Sequence, residues 1–380
     1  MSLHPVVGHE DLLSSMARAH GRTSLPSSLL LHGPRGVGKQ RVALWIAQLT
    51  TCERPAAEGP CEKCGACRMA VKLEHPDVHW YFPLARPKGV AGDRLVSALE
   101  DARMQGLEDL RAKPLYASHT ADVRGLYFGI TRTIRRQAHL RPNMAAGQVF
   151  IIGNAELLVP QEASPEAANA LLKLLEEPPG TSRFILTSSE PGRLLPTILS
   201  RTVALHVAPL STDSIDNFLN EHTDADREIT KWACKLSRGS IGRALGFLPD
   251  GEEEGPLESL RRQALALIEV AVVQDPGQGY ELSLSYPSAG ARALIPLCAF
   301  IEEWLRDLGA IVSGAGDRVF NFDKHSYLQE LIARTSIRGP DIVLALTEVE
   351  QARELARGNV NPQLIVNGLV RNLRRRLIAT

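Results

Sequence analysis

The sequence has few aromatic residues, no surplus of charge of either sign and no long hydrophobic run. Aromatic residues are 5% of the 380, and Lys plus Arg and Asp plus Glu each number 43. Zero net charge argues against strong DNA binding by the whole chain, because nonspecific DNA affinity comes from excess Lys and Arg. Scarce aromatic rings also disfavour a single-strand binder, which needs surfaces on which bases stack.

The sequence also lacks the features that would send a chain to a membrane. No stretch reaches the roughly 20 apolar residues that a spanning helix needs, and MSLHPVVGHEDLL lacks the order of a signal peptide. We therefore expect a cytoplasmic protein without a membrane partner. In the cytoplasm, six cysteines are better explained as metal ligands or core residues than as disulfides.

The stretch LLLHGPRGVGKQ, residues 29–40, matches a phosphate-binding loop in every position but the last. Its glycines would let backbone N–H groups face a phosphate, and its lysine would reach the outer phosphates. The next position normally carries a Ser or Thr that binds Mg²⁺, whereas here it is Gln40. A tight turn without a ligand is the alternative. We predict a degenerate loop, with ATP binding left open and Mg²⁺ disfavoured, formed by Gly33, Gly36, Gly38 and Lys39.

A second position fails the same test. An active ATPase of this class carries an acidic residue at the end of a neighbouring strand, where it helps to hold Mg²⁺. The buried strand VFII is followed instead by Gly153 and Asn154, and Glu156 lies further on, past the expected strand end. Because the two failures look independent in the sequence, together they argue against hydrolysis.

Four cysteines form the sharpest chemical signal. Cys52, Cys61, Cys64 and Cys67 are spaced C-x8-C-x2-C-x2-C. Four thiolates so close together suit a closed tetrahedral zinc site, which is structural rather than catalytic. An iron–sulfur cluster is the lesser alternative, and four free thiols are the other. Cys234 and Cys298 stand alone in helical stretches and are expected in the core.

Strands alternate with helices up to about residue 208, which predicts an α/β domain with a parallel sheet covered on both faces. Residues 84–126 resemble a solvated helical insertion. Short helices are expected over 211–248, and PDGEEEGP at 249–256 forms an acidic linker. The remainder is predicted to be helical, with a loop-like interruption near 274–290.

Several motifs together resemble a known family. The degenerate loop, the cysteine spacing, ANALLKLLEEPP, TILSRT and SRGSIGRAL occur in that order. They resemble the clamp-loader subunits of bacterial DNA polymerase III within the AAA+ superfamily, most closely the delta-prime family, over roughly residues 5–82 and 126–250. The related gamma/tau family, the ATP-hydrolysing motor, is the alternative.

The resemblance implies three domains. These are a RecA-like AAA+ domain with a parallel sheet at 1–208, a small helical lid at 209–250 and an all-α collar at 257–380. The first would contain the zinc module at 52–67 and the insertion at 84–126. Arg243 in SRGSIGRAL would make lid contacts.

The resemblance also implies a role and partners. Such subunits help to load a sliding clamp onto primed DNA, in a hetero-pentamer with gamma/tau and delta subunits. They belong to a DNA-directed DNA polymerase (nucleotidyltransferase) holoenzyme and typically do not hydrolyse ATP. The family's Ser-Arg-Cys motif corresponds to Ser200-Arg201-Thr202 here. Arg201 would act as an arginine finger on ATP bound to the adjacent motor subunit; from the residues alone, it could equally be a surface arginine paired with a local carboxylate.

Two other functions remain open at this point. One is an active ATPase that uses Gln40 and a water-held Mg²⁺. The other is a zinc-dependent nucleic-acid binder in which the cysteines form a knuckle, although the neutral charge disfavours it. The basic end RNLRRRL is expected to be a solvated helix face.

Overall fold

The computed structural model describes residues 3–87, 89–115, 124–158, 166–272, 276–358 and 360–378. The chain divides into two compact units, the first built mainly from residues before Gly246 and the second mainly from residues after it. The division into three domains stays a prediction. None of the described helices combines the length and apolar character that crossing a bilayer requires.

A five-stranded parallel sheet organises the first unit. Its strands are β1 (Ser28–His32), β2 (Val78–Tyr81), β5 (Val149–Ile152), β6 (Arg183–Ser188) and β7 (Val203–His206), in the order β2-β5-β6-β1-β7. The predicted parallel sheet is therefore confirmed. A separate two-stranded antiparallel ribbon pairs β3 (Leu84–Ala85) with β4 (Arg124–Gly125).

Helices cover both faces of this sheet. Alternate residues of a strand point to opposite sides, so each face carries apolar side chains that the helices bury. Leu30 and Phe150 belong to the core on one side, and Leu29 and Ile151 to the core on the other. Both faces are buried at the central strands β1, β5 and β6, which explains why these strands read as continuous apolar runs, whereas the edge strand β7 is mostly exposed. The helices of this region are α1 (Glu10–Gly21), α2 (Lys39–Thr51), α3 (Gly65–Val71), α4 (Asp93–Ala112), α5 (Phe128–Ala138), α6 (Glu166–Glu176) and α7 (Pro196–Leu199).

Within the insertion at 84–126, the described residues contain the predicted helix, α4, but the prediction that it is merely solvated is wrong. In α4, Leu99 and Leu107 are buried in the two cores. Arg103 lies between them, donates to the carbonyl of Trp80 at 3.3 Å and stacks over the Tyr81 ring. Since β2 is an edge strand, α4 covers a sheet edge that would otherwise expose unpaired backbone groups.

Three short helices follow the sheet, as the sequence predicts. They are α8 (Thr212–His222), α9 (Arg227–Leu236) and α10 (Ile241–Phe247). The side chain of Ser211 caps α8 by accepting the backbone N–H of Ser214 at 3.1 Å. The sequence SPE at 164–166 predicts Ser164 as the N-cap of α6, and this residue lies outside the described residues.

The second unit is helical. Its helices are α11 (Pro256–Val272), α12 (Pro276–Leu284), α13 (Leu294–Val312), α14 (His325–Thr335), α15 (Gly339–Arg357) and α16 (Pro362–Leu377). The sequence predicts a loop-like interruption near 274–290, and this prediction is wrong over α12. Its sequence, PGQGYELSL, is poor in apolar residues, but a Cβ on Gly279 would lie only 3.0 Å from Val370, so the glycine allows a close approach to α16.

Candidate functional site: phosphate loop, arginine and cysteine cluster

The phosphate loop joins β1 to α2 at the carboxyl edge of the sheet. The backbone N–H of Gly33 donates to the carbonyl of Ser188, which ends β6. Gly38 caps α2 with φ at 99°, and Gly36 has φ at 81°, both in the left-handed region that favours glycine. The loop therefore lies at the crevice beyond the strand ends where open α/β sheets bind ligands.

Lys39 is the most constrained residue of the loop. Its ammonium donates to the carbonyls of Gly33 at 2.8 Å and Pro34 at 2.6 Å, and to the hydroxyl of Ser189 at 3.0 Å. A lysine ammonium has three N–H donors, so the chain itself occupies all of them. A bound phosphate would have to displace at least one of these partners.

A buried carboxylate lies beside this lysine. Glu156, in a 3-10 turn after β5, is 6% exposed, and its Oε1 accepts the backbone N–H of Ser189 at 3.2 Å. The pKa of Lys39 is lowered to about 8, mainly because burial disfavours the charged ammonium; the charge of Glu156 opposes the shift and that of Arg35 adds to it. Glu156 thus supplies an internal negative charge near the ammonium, although it lies past the strand end, as predicted.

Two further carbonyls of the loop are also occupied. The carbonyl of Gly36 accepts a hydrogen bond from the backbone N–H of Gly242 at 3.1 Å, and the carbonyl of Val37 accepts one from Nε2 of His9 at 2.9 Å. A Cβ on Gly36 would lie 2.2 Å from the hydroxyl of Ser240, so only glycine fits there. The segment SRGSIGRAL is therefore in direct backbone contact with the loop.

The two failures of the Mg²⁺ site touch each other. A Cβ on Gly153 would lie 2.9 Å from Nε2 of Gln40, so the Gln40 amide fills the space beside the strand end. An acidic side chain at 153 would require Gln40 to move. The two positions that depart from the Mg²⁺-binding pattern therefore lie side by side in the structure.

Arg201 follows α7, the short helix that ends at Leu199, with Ser200 as its C-cap. Its side chain is 30% exposed, and its Nε donates to Oε2 of Glu176 at 3.1 Å. Its Nη1 donates to the carbonyl of Thr197 at 3.1 Å and reaches the hydroxyl of Ser200 at 3.5 Å. The guanidinium is thus held on one side and accessible to solvent.

The cysteine cluster assembles at the end of α2 and the start of α3. Cys52 is the C-cap of α2 and Cys64 the N-cap of α3. The sulfurs of Cys52 and Cys64 lie 4.0 Å apart, as do those of Cys61 and Cys67, and all four lie within 4.8 Å of one another. These four residues form a cluster that could hold a metal ion.

The cluster fits a tetrahedral ion after a small contraction. Zn–S bonds of about 2.3 Å imply sulfurs about 3.8 Å apart, whereas the sulfurs here are 4.0 Å apart in two pairs and within 4.8 Å in the others. Backbone N–H groups already point at sulfur, from Cys61 to Cys52 and from Cys67 to Cys64. Backbone N–H donors of Lys63 and Cys64 lower the pKa of Cys61 to about 6, whereas burial raises the pKa of Cys52 and Cys67.

Sequence reasoning found the loop, the arginine and the cysteines, but missed their partners. Ser189 could have been found, because it follows β6 and the carboxyl ends of parallel strands meet at one edge. No signal in the sequence pointed to His9, Gly242 or Glu176. The sequence of residues 173–179, KLLEEPP, suggests a segment that mainly packs the core, yet Glu176 is exposed and contacts Arg201.

Comparisons with known proteins agree with this arrangement. The family described as "DNA polymerase III, delta subunit" matches residues 8–211. DNA polymerase III subunit delta' of Pseudomonas aeruginosa is 35% identical over 58% of this chain and 55% of its own length. Subunit delta' of Bacillus subtilis is 25% identical over 91% of this chain and 90% of its own. Subunit tau of B. subtilis is 26% identical over 70% of this chain and 37% of its own.

The family match covers the sheet, the loop, the cysteine cluster and Arg201, but ends before the second unit. The matched part spans only about half of the P. aeruginosa relative. The match nevertheless includes more than half of the chain, and the chain belongs to the DNA polymerase III delta-subunit family.

Proposed function

We propose that this chain is a delta-prime-like subunit of a bacterial clamp loader. It would help to load the sliding clamp onto primed DNA, in a hetero-pentamer with gamma/tau and delta subunits, as part of the DNA-directed DNA polymerase (nucleotidyltransferase) holoenzyme. Support comes from the family match and from the relatives named delta' and tau.

The chain would not hydrolyse ATP itself. One observation carries this part: the three donors of Lys39 are occupied by Gly33, Pro34 and Ser189. Neither Gln40 nor Gly153 supplies the hydroxyl or the carboxylate that would hold Mg²⁺. Nucleotide could bind only after the loop gives up contacts that it already makes.

Arg201 would contribute to catalysis in a neighbouring subunit. A partly exposed guanidinium, fixed at the end of a short helix, suits a contact with the γ-phosphate on a motor subunit. Ser200 would cap the helix and hold the arginine. The four cysteines would bind one structural zinc ion, which stiffens the junction of α2 and α3.

The test compares ATP turnover by the chain alone with turnover by the assembled ring. We expect none from the chain alone, and stimulation in the ring. Arg201→Ala should slow ATP hydrolysis at the neighbouring motor subunit's site by about 10³-fold, which is what an arginine finger contributes. Arg193→Ala is the control, since Arg193 is also an exposed arginine paired with a carboxylate, that of Glu190.

Two results would contradict the proposal. Unchanged ring turnover with Arg201→Ala would remove the role in trans. Turnover by the chain alone that Lys39→Ala abolishes would instead identify an ATPase like the gamma/tau motor.

A further inference from the structure

We propose that Glu176 is a positioning residue for Arg201. The inference rests on the proposed function of Arg201 as an arginine finger. Glu176 ends α6 and Arg201 follows α7, so the contact joins two elements that are separate in the sequence. The carboxylate accepts from Nε at 3.1 Å.

Both partners are mounted on a rigid support. Leu175, which precedes Glu176, and Ile198, which comes before Arg201, are buried in the same hydrophobic core. The backbone N–H of Arg201 and the hydroxyl of Thr202 both donate to the carbonyl of Ile198, at 3.1 and 3.0 Å. The side chains therefore project from backbone that packing and hydrogen bonds hold in place.

The contacts leave one edge of the guanidinium available. Nε is occupied by Glu176, and Nη1 by Thr197 and Ser200. Nη2 makes no hydrogen bond with any residue that the structure describes. A guanidinium has five N–H donors in a fixed planar fork, so fixing one side sets the direction of the other. The free edge is the one that a phosphate on a neighbouring subunit would meet.

This arrangement orders the arginine before assembly. A free arginine side chain loses rotamer entropy when it engages a phosphate, and a pair made in advance removes part of that loss. The Glu176 side chain is 56% exposed, so its contact is weak enough to let the guanidinium adjust. Glu176 would thus raise the rate of ATP hydrolysis without touching ATP.

The test uses the assembled ring and a double-mutant cycle. The variants are Glu176→Gln, Arg201→Ala, the double variant, and Glu177→Gln as a matched control, since Glu177 is the adjacent exposed glutamate. The Arg201-dependent rate is the wild-type rate minus that of Arg201→Ala. We expect Glu176→Gln to lower kcat for the Arg201-dependent ATP hydrolysis by about threefold, with KM for ATP unchanged. A threefold loss lies within the range of free energies that an exposed ion pair contributes.

The double variant should match Arg201→Ala alone, and Glu177→Gln should match the wild type. A full Arg201-dependent rate in Glu176→Gln would overturn the inference, as would an equal loss from Glu176→Gln in the Arg201→Ala background. If Arg201→Ala itself changes nothing, the proposed function fails, which is a separate result.

Discussion

At the residue scale, Gln40 and Gly153 stand far apart in the sequence but compete for one small space. The Gln40 amide lies where a side chain at 153 would begin. Lys39 has meanwhile turned to carbonyls of its own loop. Binding of Mg²⁺ would therefore need changes at more than one position, because a carboxylate at 153 would meet the Gln40 amide.

This contact predicts energetic coupling between the two positions. Gly153→Asp should lower the free energy of unfolding by about 1 kcal/mol, because the added side chain must push the flexible Gln40 amide aside. In a Gln40→Ser background the same change should cost less, with a coupling of about 0.5–1 kcal/mol. Urea unfolding of the wild type, both single variants and the double variant measures it. Strict additivity would show that the two side chains do not meet.

At the scale of elements, a buried carboxylate fixes the loop that leads into β5. Asp77 is fully buried, and it accepts backbone N–H groups of Asn143 at 2.6 Å and of Met144 and Ala145 at 2.8 Å. Burial by itself would raise the pKa of Asp77, but these N–H donors outweigh it, and the pKa lies below the usual 3.8. The ionised form therefore stabilises the fold.

Asp77→Asn should lower the free energy of unfolding by about 2–3 kcal/mol at pH 7, since it loses charge-assisted hydrogen bonds. Because the folded pKa is lowered, the contribution is complete above pH 3.8 and disappears as the pH falls through the folded pKa. The variant and the wild type should therefore converge in stability as the pH falls below 3.8 and through the lowered folded pKa. Unfolding curves across this range test it. The exposed Asp101→Asn serves as control and should change stability by less than about 0.5 kcal/mol.

The cysteine cluster also acts between elements, because it ties the end of α2 to the start of α3. Elemental analysis of the purified chain should find one zinc per molecule. The Cys64→Ser variant should lose the zinc to a chelator and show faster hydrogen exchange over 52–67. The Cys234→Ala variant, with its change outside the cluster, should keep the zinc. Visible absorbance with bound iron would instead favour the iron–sulfur alternative.

At the scale of the whole molecule, the two compact units have different stabilising centres. The second unit holds a buried cation, Arg261, whose side chain is 2% exposed and which pairs with Glu258 and Asp323. Its guanidinium lies 5.0 Å from the centre of the Trp304 ring and 5.7 Å from that of Trp232. Removal of this one charge would leave two carboxylates without their partner.

Arg261→Met should therefore lower the free energy of unfolding of the second unit by about 3–5 kcal/mol. Hydrogen exchange should speed up in α11 and α13, and leave β1 and β5 of the first unit at wild-type rates. Arg262→Met is the matched control, because Arg262 is the adjacent arginine, is 70% exposed and pairs with Glu254. Equal acceleration in both units would show that they open together.

The sequence by itself determined the features that depend on local spacing. The glycines and lysine of the loop, the four cysteines and the alternation of apolar strands with helices each lie within a short stretch, where propensity and chain geometry decide the outcome. The same holds for most element positions, with α12 as the exception, because its few apolar residues hide a helix that close packing supports.

Only the tertiary structure decided which distant residues meet. The saturation of Lys39 by Ser189, the contact of Gln40 with Gly153, the cover that α4 gives to β2 and the pairing of Glu176 with Arg201 all join residues remote in the chain. Such contacts depend on how strands and helices pack in three dimensions. A pattern of residue types within one stretch carries no information on the distance between two side chains from different elements.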